Sequence, residues 1–214
     1  MKIAHIISNK VWGGGEQYVY DLCSNLISDG HDVEIFTRHI PAIVGKVATL
    51  GVAIHDYSLK NILKLRDGIV HVHNFKDALK LAVAKKLTHS NIKIVVTRHL
   101  VRPAKTSRLY TWVYANVEKI IFVSDLARKE FLSSQPMVDE AKLCVVRNSI
   151  KTNDNANSFA VDDIKASLPN DTTILMYHGR IAKEKGLNVL IDAVARLKDI
   201  PYHLFLVGAG DAEY

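Results

Sequence analysis

KIAHIISNKVWGGGEQYVYDL, residues 2–22, joins an apolar run to three glycines and then to a helix-like pattern. Residues 2–8 read as a buried strand. From Glu16 to Ser28 the apolar positions Val19, Leu22, Cys23, Leu26 and Ile27 share one helical face. A glycine turn between a strand and a helix can bring backbone N–H groups against a phosphate, where the helix dipole also favours an anion. The turn is neither of the standard nucleotide motifs, however. A dinucleotide fingerprint places a third glycine where Tyr18 stands and an acid at the end of the second strand, where Arg38 stands. A Walker loop needs Gly-Lys-Ser/Thr, which is missing. The plain alternative is a turn that uses glycine for its positive φ.

The strand–helix alternation continues outward from this stretch. Residues 32–37 (DVEIFT), 68–74 (GIVHVHN), 92–99, 119–124 and 141–146 read as strands with helical stretches between them, and a weaker helix-and-strand pair fills 42–58. Short β-rich runs separated by helices predict an α/β fold, a Rossmann-like parallel sheet with helices on both faces. Residues 152–158 (TNDNANS) are polar and aperiodic. The pattern then restarts: a strand at 172–180, a helix over 186–198 and a strand at 202–208. A single β-α-β unit cannot close a two-sided core. The expected organisation is a first domain over residues 1–151, a linker over 152–161 and the beginning of a second, incomplete Rossmann-like domain over 162–214.

The apolar content of 48% and charged content of 23% are those of an ordinary globular chain. Cys23 and Cys144 show no metal-ligand spacing, and Cys23 falls on an apolar stripe as a buried thiol would; a reducing cytoplasm fits. No apolar run approaches the roughly 18 residues of a membrane span. The net charge of +6 is unevenly placed. Between Asp77 and Glu118 there is no acid, while Lys80, Lys85, Lys86, Lys93, Arg98, Arg102, Lys105 and Arg108 fall there. A field of one sign attracts anions: phosphates, an anionic acceptor, or an acidic membrane surface. A solvated face that happens to lack acids is the plain alternative. Tyr110, Trp112 and Tyr114 among these cations suit a peripheral membrane contact. No recognition helix or RNA-type aromatic pattern accompanies the charge, so nucleic acid is not an expected partner. His71 and His73 alternate and share a strand face, but the spacing shows no third metal ligand.

In order along the chain, Gly-Gly-Gly-Glu at 13–16, the strand end His71-Val72-His73, Thr97-Arg98-His99, FVSDLARKEF at 122–131, VVRNSI at 145–150, HGRIAKEKG at 178–186 and LVGAGD at 206–211 resemble the group-1 family of retaining glycosyltransferases. These have the GT-B architecture of two Rossmann-like domains facing a cleft. The resemblance implies transfer of a sugar from a nucleotide-diphospho-sugar, with retention and without metal, to a glycan or lipid-linked acceptor in polysaccharide biosynthesis. No cofactor is implied, and the location would be cytoplasmic, at the inner face of the membrane. It implies catalytic roles for Arg180, Lys185 and His99. Gly13, Gly14, Gly15, Gly179 and Gly208 would bind the donor, and Glu16, His73, Arg98 and Arg102 the acceptor. The cationic pair suits the chemistry, because breaking a sugar–diphosphate bond develops negative charge on the leaving phosphate. The absence of an Asp-x-Asp pair agrees with cations in that role.

Arg147 and Ser149 depart from the family's interdomain Pro-Asn-Gly-Val. The family's Glu-x7-Glu segment lies past the last strand and does not fall within these 214 residues. The resemblance therefore also implies that the chain is an incomplete, inactive piece of a transferase. The alternative is a non-catalytic binding module on the same domain. An NAD-type oxidoreductase is disfavoured by the glycine pattern and by Arg38.

Overall fold

The computed structural model describes residues 1–149 and 158–210. The chain divides into two compact units, Met1–Ile150 and Lys151–Tyr214. In the first, β1 (Lys2–Ile7) leads to α1 (Gly14–Ser28), β2 (Asp32–Thr37), α2 (Pro41–Ala48), β3 (Ala53–Asp56), the short α3 (Leu59–Ile62) and β4 (Ile69–Val72). Then follow α4 (Phe75–Thr88), β5 (Lys93–Arg98), α5 (Arg108–Asn116), β6 (Lys119–Phe122), α6 (Asp125–Leu132), a 3-10 turn (Glu140–Lys142) and β7 (Leu143–Val145).

Local chemistry sets several of these boundaries. Pro41 opens α2 at a position where its missing N–H costs nothing. The Asn74 side chain accepts the Asp77 N–H and caps α4; Ser124 caps α6 by accepting the Ala127 N–H. α4 stops at His89, which takes the left-handed conformation with φ 51°.

The seven strands form one parallel sheet in the order β3-β2-β1-β4-β5-β6-β7. Alternate side chains enter two cores. On one face Ile7, Val33 and Ile35 pack with Val19 and Cys23 of α1 and with Ile43 and Val47 of α2. On the other, Ala4, Ile6, Val70, Val72, Ile94, Val96, Ile120 and Phe122 pack with α4, α5 and α6. Cys23 is fully buried, and burial pushes its thiol pKa up to about 12, which makes it an inert core group. Truncating a fully buried ring such as Phe122 to alanine costs about 3–5 kcal/mol.

The strand order fixes where a ligand can bind. From β1 the chain winds outward to β2 and β3, then returns to β4 on the other side of β1. At that reversal the connections after β1 and β4 diverge, leaving a crevice at the carboxyl ends of the strands.

The second unit contains α7 (Ser158–Ala166), β8 (Thr173–His178), a 3-10 turn (Lys183–Lys185), α8 (Leu187–Val194) and β9 (Tyr202–Val207). β8 and β9 pair in parallel. α8 is shorter than the expected helix over 186–198. Part of the expected linker over 152–161 lies outside the described residues; from Ser158 onward the chain is helical. This unit leaves Met176, Val189, Ile191, Leu206 and Val207 exposed.

Candidate active site

A cavity of about 600 Å³ lies at the reversal between β1 and β4. Its polar hub is Asp77, buried in the first turn of α4. The carboxylate accepts hydrogen bonds from Ser8 Oγ at 2.5 Å, Asn74 Nδ2 at 2.6 Å and the Tyr57 hydroxyl. Lys80 Nζ stands 3.5 Å away and also reaches the Tyr57 hydroxyl at 3.0 Å. Burial and the adjacent Asp77 push the Tyr57 hydroxyl far above its ordinary pKa, so it stays a donor. With its lone pairs occupied, Asp77 is an organiser of the crevice. Arg38 joins the β2 end to the β1 end by donating from Nε to the Ser8 carbonyl at 2.9 Å. Ser8, Asn74, Tyr57 and Asp77 were not foreseen as site residues. Ser8 directly follows β1 and Asn74 lies two residues past the end of β4, positions that become a signal once the strand order is known.

Beside this hub runs a column of imidazoles. The β1–β4 register sets His5 opposite His71. His5 and His71 ring centroids are 5.0 Å apart, His71 and His73 4.7 Å, and His73 and His99 5.5 Å. His71 Nε2 meets Thr97 Oγ1 at 2.7 Å, and His73 Nδ1 meets His99 Nε2 at 3.3 Å. Burial lowers the pKa of His5 to about 4 and holds His71 and His73 well below the ordinary value, with neighbouring histidines adding to the shift in the latter two. His99 is lowered by burial and raised in part by Glu16. The column is therefore uncharged at neutral pH. His99 and His73 both border the cavity, and His73 Nε2 is buried without a partner among the described residues. The third imidazole that the His71–His73 spacing lacked is His5. The donor atoms of these three histidines lie within 4.8 Å of one another. Nitrogens on a tetrahedral zinc stand about 3.3 Å apart, so these rings would have to turn inward to hold a metal.

The glycines of the turn are not there for a left-handed backbone. None of Gly13, Gly14 and Gly15 has a positive φ; Gly13 is extended at φ −153°. The positive-φ alternative therefore falls away. A Cβ added at Gly14 or Gly15 would meet nothing within 4 Å. The turn keeps open space above the first N–H groups of α1, which have no intrahelical acceptors. Glu16 is buried and pins the turn: Oε2 accepts the Gly13 N–H at 2.9 Å and Oε1 accepts from Asn9 Nδ2. Gly15 and Glu16 line a smaller cavity of about 250 Å³ together with His73, Asn74 and His99. The turn thus borders the same strand ends as the histidine column.

The acid-free stretch splits between the two ends of the sheet. Lys85 and Lys86 sit in the last turn of α4 and Lys93 opens β5, away from the crevice. Lys80, Arg98, Arg102 and Lys105 line the large cavity, joined by Lys76 and Arg38 from outside the stretch. Arg98 braces the loop that follows β5, donating from Nη2 to the carbonyls of Arg102 at 2.5 Å and Pro103 at 3.1 Å and lying over the Phe75 and Phe131 rings. The aromatic residues of α5 do not form an outer face. Tyr114 is buried against Phe75 and Phe131, and Tyr110, one turn before it on the same helix side, and Trp112 are partly buried against the same core. At the crossing out of this unit, Arg147 pairs with Asp125 at 2.8 Å.

In the second unit Gly179, Arg180 and Gly208 follow the ends of β8 and β9, and Lys185 ends the 3-10 turn before Gly186, which takes φ 68°. Arg180 and Lys185 are exposed. Gly208 has a backbone reason of its own, since a Cβ there would stand 1.8 Å from the Gly179 carbonyl oxygen. Of the sequence-selected residues, Gly13 and Gly14 line neither cavity, and the rest form two groups. Glu16, Gly15, His73, Arg98, His99 and Arg102 border the crevice of the first unit; Gly179, Arg180, Lys185 and Gly208 belong to the second.

Comparison with known proteins bears on this geometry. Curated protein sequences give no match. Among solved structures, the chain is similar to Anabaena Alr3699/HepE in complex with UDP-glucose, with TM-score 0.74, 13% identity, 98% of this chain and 61% of that chain. It is similar to the apo form of the lipopolysaccharide outer core galactosyltransferase WaaB, with TM-score 0.62, 14% identity, 100% of this chain and 62% of that one. Acinetobacter baumannii MurG gives TM-score 0.55 at 11% identity over 96% of this chain and 60% of its own. The chain thus spans about three fifths of the length of these proteins, and at such identities the likeness shows the fold, a Rossmann-like sheet of GT-B type. A family model described as Glycosyltransferase Family 4 matches residues 12–154, from the glycine turn to beyond β7, and the chain belongs to that family.

Proposed function

We propose that the chain is the acceptor-side part of a retaining, metal-independent glycosyltransferase. The donor is a nucleotide-diphospho-sugar, and UDP-glucose is the first to try because HepE is described in complex with it. The acceptor is a glycan or lipid-linked glycan. The observation that carries this reading is the crevice at the β1–β4 reversal, where neutral His73 and His99, the pinned glycine turn and the Asp77 hub converge.

The proposed roles follow from the chemistry. Cleavage of the sugar–diphosphate bond leaves charge on the departing phosphate, and Arg180 and Lys185 stabilise that charge. The open N–H groups at Gly14 and Gly15 face the reacting end of the donor. His99, with its tautomer coupled to His73, hydrogen-bonds the transferred sugar. Asp77, through Ser8 and Asn74, holds the acceptor side of the crevice in shape.

Sugar transfer from UDP-glucose and related donors should be assayed with the native protein from its source and with an Arg180→Ala variant of it. Transfer that falls by about 10²-fold or more in the variant supports the reading. Unchanged turnover removes Arg180 from the chemistry. Absence of any nucleotide-sugar binding turns the reading toward a non-catalytic binding module.

A further inference from the structure

We infer that the large cavity of the first unit is built for a phosphate-bearing acceptor, with Arg102 and Lys105 as the residues that grip its phosphate or diphosphate. The inference rests on the glycosyltransferase reading and adds the chemical class of the acceptor.

Six cations border this cavity, Arg38, Lys76, Lys80, Arg98, Arg102 and Lys105, against one carboxylate, Asp77. That carboxylate is already engaged by Ser8, Asn74, Tyr57 and Lys80. Among the described residues, Lys80 is the one cation of the six in a salt bridge. Arg98 is spent on the loop carbonyls, and burial together with Arg102 works against its charge. Its Nε is buried and unpartnered among the described residues. Bracing by Arg98 fixes the loop that presents Arg102 and Lys105. Lys105 Nζ is oriented by the Tyr110 hydroxyl at 3.1 Å.

Concentrating like charges on one concave wall is unfavourable until an anion enters, and low-dielectric walls focus the field on that anion. One carboxylate would leave most of the excess standing. A diphosphate brings more charge in one compact group, with oxygens that an arginine fork engages in pairs. Such a group could be carried by a lipid or by a soluble phosphorylated sugar. The same loop exposes Leu100 and Val101 beside the cations, which makes a lipid carrier a source to test directly.

The test uses the 214-residue chain with inorganic pyrophosphate, read by calorimetry, in wild type and in Arg102→Glu/Lys105→Glu. The control is Lys85→Glu/Lys86→Glu, which makes the same charge change at the other end of α4. A second control, Arg180→Ala/Lys185→Ala, accounts for anion binding in the second unit. Circular dichroism checks that each variant folds. The expected result is that the cavity variant weakens pyrophosphate at least about tenfold, while the α4 control stays within about twofold. Equal losses in the cavity variant and the α4 control overturn the inference. Phosphatidylcholine vesicles with and without phosphatidylglycerol identify the source. Competition with pyrophosphate by the anionic vesicles alone means a lipid phosphate; binding of pyrophosphate without competition means a soluble phosphorylated acceptor. Nucleotide-sugar transfer by the native protein is read separately. If transfer persists while the cavity ignores pyrophosphate, this inference fails alone. If pyrophosphate binds and no nucleotide-sugar is used, the glycosyltransferase reading fails.

Discussion

Acid should destabilise the first unit through His5, and the size of the effect can be worked out. His5 lies fully buried on β1 with neither ring nitrogen hydrogen-bonded among the described residues. Desolvation lowers its pKa from 6.5 to about 4 in the folded chain. At neutral pH the ring is uncharged in both folded and unfolded states, so nothing is lost. As pH falls below 6.5 the unfolded chain binds a proton that the folded chain refuses, and stability drops until the folded pKa is passed. From this residue alone the loss is about 2 kcal/mol at about pH 5 and about 3 kcal/mol at about pH 4. His71 and His73 shift in the same direction and deepen the fall. Replacing His5 by leucine removes its part. The assay is urea unfolding of wild type and His5→Leu, followed by fluorescence of Trp12 and Trp112, both in the first unit. Because other titrating groups are common to both chains, the quantity to read is the change in their stability difference between about pH 7.5 and about pH 5. A shift of about 2 kcal/mol in favour of the variant is expected. If the difference stays constant within about 0.5 kcal/mol, the ring is either solvated or hydrogen-bonded in the folded state, and the dry histidine column is wrong.

Three further outcomes follow from the geometry. Gly15→Leu places a side chain in open space on a backbone of ordinary φ, so the melting temperature should hold or rise slightly while nucleotide-sugar transfer by the native protein falls; a loss of stability instead would mean the turn needs glycine for its backbone. Gly208→Ala drives a Cβ to 1.8 Å from the Gly179 carbonyl oxygen, so hydrogen exchange in β8 and β9 should accelerate sharply, with the first unit unaffected. Asp77→Asn leaves Ser8, Tyr57 and Lys80 competing for a weaker acceptor and should cost about 1–3 kcal/mol on unfolding, whereas a neutral result would deny the carboxylate its organising role.

Much of the fold was legible because its signals are local. The 3.6-residue stripe of Val19, Cys23 and Leu26 gives α1, and β-rich runs such as Ile3–Ile7 and Ile69–Val72 give strands; both follow from neighbours in the chain. The polar break after residue 151 falls where the structure divides its two units. Helix ends were less legible. Ser158 starts a helix inside the expected linker, and α8 ends at Val194, since helix ends fray and carry little local signature. The lining of the crevice was legible where it fell in strand-end motifs, at His73, Arg98 and His99. It was hidden where it depended on partners distant in the chain. Ser8 and Asp77 stand 69 positions apart and meet at 2.5 Å. Tyr110, Trp112 and Tyr114 suited a membrane contact in sequence and pack against the core in space, because the burial side of a helix is chosen by what packs against it.

The sequence by itself determined an α/β chain with a glycine turn after its first strand, and it placed histidines and cations at strand ends. Only the tertiary structure decided that β4 pairs with β1, and from that one pairing come the crevice, the His5–His71 contact and the Asp77 hub. The same folding sent Lys85, Lys86 and Lys93 away from the crevice while gathering Arg102 and Lys105 into its wall. The physical reason is that parallel strands pair only through long crossover connections, so strand order and register are set by hydrogen bonds and burial between segments far apart in sequence, which no local pattern encodes.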